Sequence, residues 1–230
     1  MGEPWSTASE AADGTLRGFV GEEVWAELLA HATRRRHASG TVLLRQGEPG
    51  THVLAVVSGV VKVVRQERNG DLTLLAFRGP GEVLGEMAVL DEGGRSASVE
   101  ALSRCDVAVV SKAAFLRFVE DQGLFPVLVR YALTRLRESD QARGSGDLPD
   151  RLAAALVRLA DISGRSVVDE ERPLVLALTR DELAQHLGVT RNTVTATLGE
   201  LAGHLRVSRK RIVIERLAAL RNRAFPPDPG

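Results

Sequence analysis

Glu86 and Arg95 stand nine residues apart, in the segments Gly85-Glu86-Met87-Ala88 and Arg95-Ser96-Ala97. Together they suit a small ligand that carries a phosphate. A planar guanidinium fork matches phosphate oxygens at two points. A carboxylate accepts hydrogen bonds from ribose hydroxyls. Between them, Gly93-Gly94 lets the backbone approach closely, because glycine lacks a Cβ and tolerates positive φ.

A second set of residues suits a polyanion. Leu178-Thr179-Arg180-Asp181-Glu182-Leu183-Ala184-Gln185-His186-Leu187-Gly188-Val189-Thr190-Arg191-Asn192-Thr193-Val194 has the pattern of a helix-turn-helix. Thr179 with Glu182 forms a capping box. Leu183, Ala184 and Leu187 make a buried stripe, Gly188 permits the tight turn and Thr190 caps the second helix. Val194, Leu198 and Leu201 give that helix its apolar face. Its exposed start carries Arg191, Asn192, Thr193 and Thr195. Residues there face base edges in the major groove. An arginine suits guanine and an asparagine suits adenine. Leu205-Arg206-Val207 and Ile212-Val213-Ile214 then flank Ser208-Arg209-Lys210-Arg211, a winged hairpin whose basic tip suits phosphates.

Charge agrees with this division. The 230 residues have a formal net charge of +0, yet from Val189 to Arg223 eight Lys/Arg face two Glu. Hydrophobic content of 44% and charged content of 26% are ordinary for a globular chain of one or two domains. No apolar run approaches the ~20 residues of a bilayer span. The start, MGEPWSTASE, lacks the basic and apolar regions of a secretory signal. One cysteine, Cys105, excludes an internal disulfide, a Cys-based zinc site and a four-Cys iron–sulfur cluster. The expectation is a cytoplasmic protein without a metal.

The elements that must position these residues are legible from texture. Residues 1–15 read as a loose tail, and Glu22 to Ala32 as a helix. Short β-branched runs follow at Thr41–Leu44, Val53–Val57, Val60–Val64, Leu72–Phe77, Val99–Leu102 and Val107–Val110. Turn signals separate them, which predicts a barrel, roll or sandwich. Asn69-Gly70 predicts a two-residue hairpin turn with both residues at positive φ. From Leu124 the period becomes helical. Phe125, Val129, Ala132 and Leu136 form a heptad seam whose next step lands on Ser139. The seam reads as a dimer helix; a single helix buried on its own domain is the other reading. Gly144-Ser145-Gly146 reads as a hinge. The predicted class is α+β with two domains. A jelly-roll-like β-roll occupies 16–122, a long dimerisation helix and hinge 123–146, and a winged helix-turn-helix 147–224.

Four segments carry a resemblance to a known family: Arg45-Gln46-Gly47-Glu48-Pro49-Gly50, Val56 to Val63, Gly79 to Ala88, and Arg95 to Ala101. With the winged helix, they make the chain similar to CRP/FNR regulators over residues 20–223. The resemblance implies a cyclic-nucleotide-binding β-roll whose phosphate-binding cassette is Gly85, Glu86, Met87, Ala88, Arg95 and Ser96. Glu86 would hold the ribose 2′-hydroxyl, Arg95 the cyclic phosphate and Ser96 a further contact, with backbone N–H groups completing the anion nest. It also implies a base contact from the end of the dimer helix, at Ser139 and Asp140. Asp140 departs from the usual hydroxyl or amide, so cAMP is expected and cGMP stays open. The usual recognition helix reads Arg-Glu-Thr-Val-x-Arg. Here Asn192 and Ala196 replace the glutamate and the second arginine, so the family's operator does not transfer.

The implied partners are double-stranded DNA, a second copy of the chain and RNA polymerase. A regulator whose pocket holds another nucleotide, or none, is one alternative. A nucleotide-sensing subunit without DNA binding is a second. A haem-based relative would need an axial ligand, and His31, His37 and His52 read instead as surface or structural residues; a cupin-type enzyme needs clustered His/carboxylate ligands, which the sequence lacks.

Overall fold

The computed structural model describes residues 14–30, 32–141, 147–163 and 173–224, with the side chains of 136–141 excepted. Residues 1–13 of the tail expected at 1–15, His31 and the hinge at 144–146 lie outside them, whereas Thr15 belongs to the first helix as its cap. Two short helices, α1 (Leu16–Val20) and α2 (Glu22–Ala30), lead into the β-roll. Thr15 caps α1 by accepting from Gly18 N.

Eight strands follow: β1 (Thr33–His37), β2 (Val42–Leu44), β3 (His52–Ser58), β4 (Val61–Gln66), β5 (Leu72–Arg78), β6 (Val83–Leu84), β7 (Ser98–Ala101) and β8 (Cys105–Ser111). They form two four-stranded sheets, ordered β1-β8-β3-β6 and β2-β7-β4-β5, antiparallel throughout. Val53, Ala55, Val83, Ala108 and Val110 pack to one side of the first sheet, against α2 and later helices. Leu54, Val56, Val61, Val99, Ala101 and Val107 fill the space between the sheets. This alternation is the period of two that the β-branched runs encode.

The β4–β5 turn differs from the two-residue form. Gly70 N donates to Glu67 O, and Gly70 alone takes positive φ (+87°). That is a three-residue loop closed by a left-handed glycine, the next commonest hairpin. Asn69 instead donates and accepts at Asp71.

Within the roll, α3 (Glu86–Leu90) interrupts the strands; α4 (Lys112–Asp121) and α5 (Phe125–Gln141) close it. Leu124, Leu128 and Tyr131 bury one face of α5 on the roll. Phe125, Val129 and Leu133 remain 55%, 59% and 48% exposed. So the seam residues Phe125 and Val129 face outward, and Leu133 widens the stripe they form.

The C-terminal part contains α6 (Leu148–Ile162), β9 (Leu174–Leu176), α7 (Arg180–Leu187), α8 (Arg191–Glu200), β10 (Leu205–Val207), β11 (Ile212–Ile214) and α9 (Leu217–Ala224). Strands β10 and β11 form the expected hairpin, and β9 adds a third strand beside β11. Leu152, Leu156, Leu183, Val194, Leu198 and Leu201 share one core. Among the described residues, no helix is long and apolar enough to cross a membrane.

The two parts meet along β4 and β5. Val60 and Leu102 of the roll join the C-terminal core. Ala177 N donates to Leu102 O at 2.7 Å. Lys62, 4% exposed, donates to Ala177 O at 3.2 Å and pairs with Glu100 at 3.4 Å and with Glu182 on α7. Gln185 accepts from Leu74 N at 2.7 Å and donates to Leu72 O at 2.6 Å. The Phe77 ring lies edge-on to His186 at 4.9 Å.

Removing one member of a buried charge cluster leaves the others uncompensated. We therefore expect Lys62→Ala to lower the unfolding free energy by about 3 kcal/mol. Urea denaturation checks this against the Lys62→Met, Glu100→Gln, Glu182→Gln triple variant, which should lose less.

Candidate nucleotide pocket and nucleic-acid interface

The cassette is built around a left-handed glycine. Gly85 has φ +82° and precedes the first turn of α3, where backbone N–H groups lack helical partners. Arg95 arrives on the strand-like return that follows. Its backbone N–H donates to Glu48 O at 2.9 Å, and its carbonyl accepts from Gly47 N at 2.9 Å. The Arg45-to-Gly50 segment thus positions the arginine by main-chain pairing. Gly94 allows this: a Cβ there would lie 3.2 Å from Gly47 O. Neither Gly93 nor Gly94 takes positive φ; Glu92 does, at +59°. Close approach, not left-handed backbone, is what the glycine pair provides.

Arg95 is 4% exposed and extends under Gly85. Its Nη1 donates to Gly85 O at 2.6 Å and its Nη2 to His52 O at 2.5 Å. A guanidinium has five N–H donors, so these bonds fix the fork and use two of them. Burial pulls the Arg95 pKa down, and the charges of Glu86 and Glu48 push it back. Glu86 is half-buried at the first position of α3. Desolvation raises its pKa, opposed by its own backbone N–H and by Arg78 and Arg95. Ser96 is exposed beside Arg95. Ala88 is 3% exposed and packs on Gly50, where a Cβ would meet Ala88 O at 2.2 Å. Met87 is 57% exposed and turns away from this cluster. Ser139 and Asp140 fall in the last turn of α5, and their side chains lie outside the described residues.

A buried network behind the cassette escaped sequence reading. Glu82, 7% exposed, accepts from Tyr131 Oη at 2.5 Å and from Arg135 on α5. The Arg135 guanidinium also sits 4.3 Å above the Tyr131 ring. Burial and the Glu82 carboxylate push the Tyr131 hydroxyl well above its usual pKa, so it stays a donor. Glu82 lies one residue before β6, which runs directly into Gly85. Pocket and helix are therefore mechanically joined. The signal was a lone Tyr within a heptad pattern, indistinguishable from packing.

The second site keeps the predicted form. Thr179 and Glu182 make both bonds of the capping box. Gly188 takes φ +68° between α7 and α8. Thr190 accepts from Thr193 N at 3.2 Å, and the Thr190 and Thr193 hydroxyls bond each other at 2.7 Å. Arg191, Asn192, Thr193, Thr195 and Ala196 are exposed along α8. Arg209, Lys210 and Arg211 are exposed at the hairpin tip. The Thr179 hydroxyl, by contrast, is engaged in capping.

A roll with an anion cassette, joined to a winged helix-turn-helix, defines a nucleotide-responsive DNA-binding protein. Comparison with known proteins agrees. Residues 34–122 match the cyclic nucleotide-binding domain, and residues 150–223 match the Crp-like helix-turn-helix domain. The chain is 30% identical over 188 residues to the CRP-like cAMP-activated global transcriptional regulator of Mycobacterium tuberculosis, covering 78% of this chain and 84% of that protein. It is 30% identical over 216 residues to the cyclic AMP receptor protein of Thermus thermophilus, covering 91% and 96%. Among solved structures, a CRP/FNR-family transcriptional regulator from Thermus thermophilus superposes with a TM-score of 0.57 at 27% identity, covering 84% of this chain and 98% of that one. The c-di-GMP-responsive regulator of Xanthomonas campestris shares the fold, with a TM-score of 0.56 at 24% identity and the same coverage. The chain belongs to the CRP/FNR family of transcriptional regulators.

Gly85 is the position where the cassette backbone meets the Arg95 fork most closely. An added Cβ would lie 2.3 Å from Arg95 Nη1, on a backbone that side chains avoid. We expect Gly85→Ala to displace the fork and weaken cyclic-nucleotide binding at least ~10-fold, while circular dichroism stays that of the parent.

Proposed function

We propose that the chain acts as a homodimeric, cAMP-responsive regulator in the cytoplasm. The cyclic phosphate lies against Arg95, Ser96 and the Gly85–Ala88 backbone, and Glu86 accepts from the ribose 2′-hydroxyl. The observation that carries this reading is the juxtaposition at Gly85: a buried, fixed guanidinium and a half-buried carboxylate flank one helix start. The exposed stripe Phe125, Val129 and Leu133 supports pairing of two α5 helices. Ser139 and Asp140 then complete the base site, Asp140 being the residue through which cGMP would be favoured. Residues 16–122 sense, 123–146 couple and 147–224 bind DNA. Nucleotide binding shifts α5 through Glu82 and Tyr131, so that two α8 helices reach successive major grooves. Arg191, Asn192, Thr193 and Thr195 meet bases, with Thr179 and Thr190 at the helix starts. Arg209, Lys210 and Arg211 meet phosphates. Bound near a promoter, the dimer presents its surface to RNA polymerase.

Calorimetry with cAMP, cGMP and a cyclic dinucleotide, followed by mobility shifts with genomic fragments, tests this. Arg95→Ala should abolish nucleotide heat and nucleotide-dependent DNA binding while the fold persists. Unchanged nucleotide affinity in that variant would refute the assignment.

Glu86 adds a pH signature. Its folded pKa lies above the ordinary 4.5, so its charged, accepting form is lost earlier than usual as pH falls. Nucleotide affinity should decline on acidification while ordinary glutamates are still ionised. Glu86→Gln should bind more weakly with a flatter pH profile; a profile as steep as the parent's would exclude Glu86 as the titrating group.

A further inference from the structure

We propose that α8 reads its half-site in two chemically distinct halves: hydrogen-bond donors from its first turn, and methyl groups from its second. The inference rests on the assignment of α8 as the recognition helix, and it names which base groups that helix recognises.

Exposure defines the reading face. Val194, Thr197 and Leu198 are buried, at 0%, 4% and 4%. Arg191, Asn192, Thr195 and Ala196 are all exposed. Residues four apart lie above one another on a helix. Thr195 therefore follows Arg191, and Ala196 follows Asn192. The exposed patch has a polar end and an end built from one threonine and one alanine.

The threonine is chemically narrower than its type implies. Thr195 Oγ1 donates to Arg191 O at 2.9 Å, so its single proton is turned back onto the helix. What Thr195 keeps for a base is the Cγ2 methyl and the acceptor lone pairs of Oγ1, with no donor. Thr197 behaves alike, donating to Thr193 O at 3.0 Å. Thr193 and Thr190 share a 2.7 Å hydroxyl bond that uses one of their two protons. The first turn therefore holds the side-chain donors of this face, the N–H groups of Arg191 and Asn192 and the remaining hydroxyl proton of that pair. Asp181 on α7 stands 3.7 Å from Arg191 Nε.

Thr195 also lines a cleft of about 270 Å³ with Arg180, Leu198, Gly199, Ala202, Leu205 and Val207, between α8 and the wing. Apart from the Arg180 guanidinium, its walls carry apolar groups, which admit a methyl. In the major groove the C5-methyl of thymine is the apolar feature, met by Ala and Thr methyls. The recognised half-site accordingly places thymine methyls beside a guanine and an adenine read by Arg191 and Asn192.

The test uses the full-length chain, with and without cAMP. Sites are first selected from a random duplex pool. Each thymine of the selected half-site is then replaced by deoxyuridine, which removes only the methyl. Competition mobility shifts should show about a threefold to tenfold loss at one or two positions and none elsewhere. Thr195→Val keeps the methyl and should retain both affinity and this penalty. Thr195→Ser keeps the hydroxyl and should erase the penalty at one position. Deoxyuridine tolerated everywhere would overturn the proposal. So would the reverse pattern, with Thr195→Ser intact and Thr195→Val defective, which would make the hydroxyl the reader. If the parent chain enriches no sequence in either condition, the recognition-helix assignment itself fails, a result separable from either of these.

Discussion

One buried ammonium group ties the molecule together. Lys62, the second residue of β4, has almost no access to water, and its compensating charges come from both halves of the chain. Glu100 is its neighbour across the sheet, paired in register on β7. Glu182 reaches it from α7 while its other oxygen holds the start of that helix. Burying an ammonium group without such partners is costly. Folding of the roll, capping of α7 and the mutual placement of the two halves are thereby one electrostatic event. A change in any of them is felt by the others.

A parallel logic governs the sensor end. Arg95 and Glu82 are both buried and both held by groups from distant sequence. Arg95 organises the rim of the pocket through carbonyls. Glu82 fastens α5 to the strand that feeds the same rim. The inner face of α5 belongs to the roll, and its outer face is apolar and open. The helix is thus attached at Glu82, three residues upstream of the cassette.

Much of this was legible beforehand, for reasons that differ by element. Strands β2, β3, β4, β5, β7 and β8 were visible because their β-branched residues alternate into two cores, whereas the two-residue β6 is too short to show a period. Helices α7 and α8 were visible because their caps are local, from Thr179 to Glu182 and from Thr190 to Thr193. Strand β1 was not. Arg34, Arg35 and Arg36 are exposed at a sheet edge, where pairing with β8 needs no apolar face. Strand β9 is three residues long and makes sense only beside β11. In the site, Glu86 and Arg95 were found by type and spacing. Lys62 was not, since its partner on α7 is 120 residues away and nothing local marks the pair. The turn at Asn69-Gly70 was placed correctly and shaped wrongly, because dipeptide identity does not set loop length.

The amide of Gln185 has a consequence of another kind. It offers a carbonyl to Leu74 N and an amino group to Leu72 O, as a neighbouring strand would. β5 is the outermost strand of its sheet, and Leu72 and Leu75 are exposed along it at 57% and 40%. Such a rim is a template on which another chain can add. The DNA-binding half therefore serves the sensor half as a stopper against self-association.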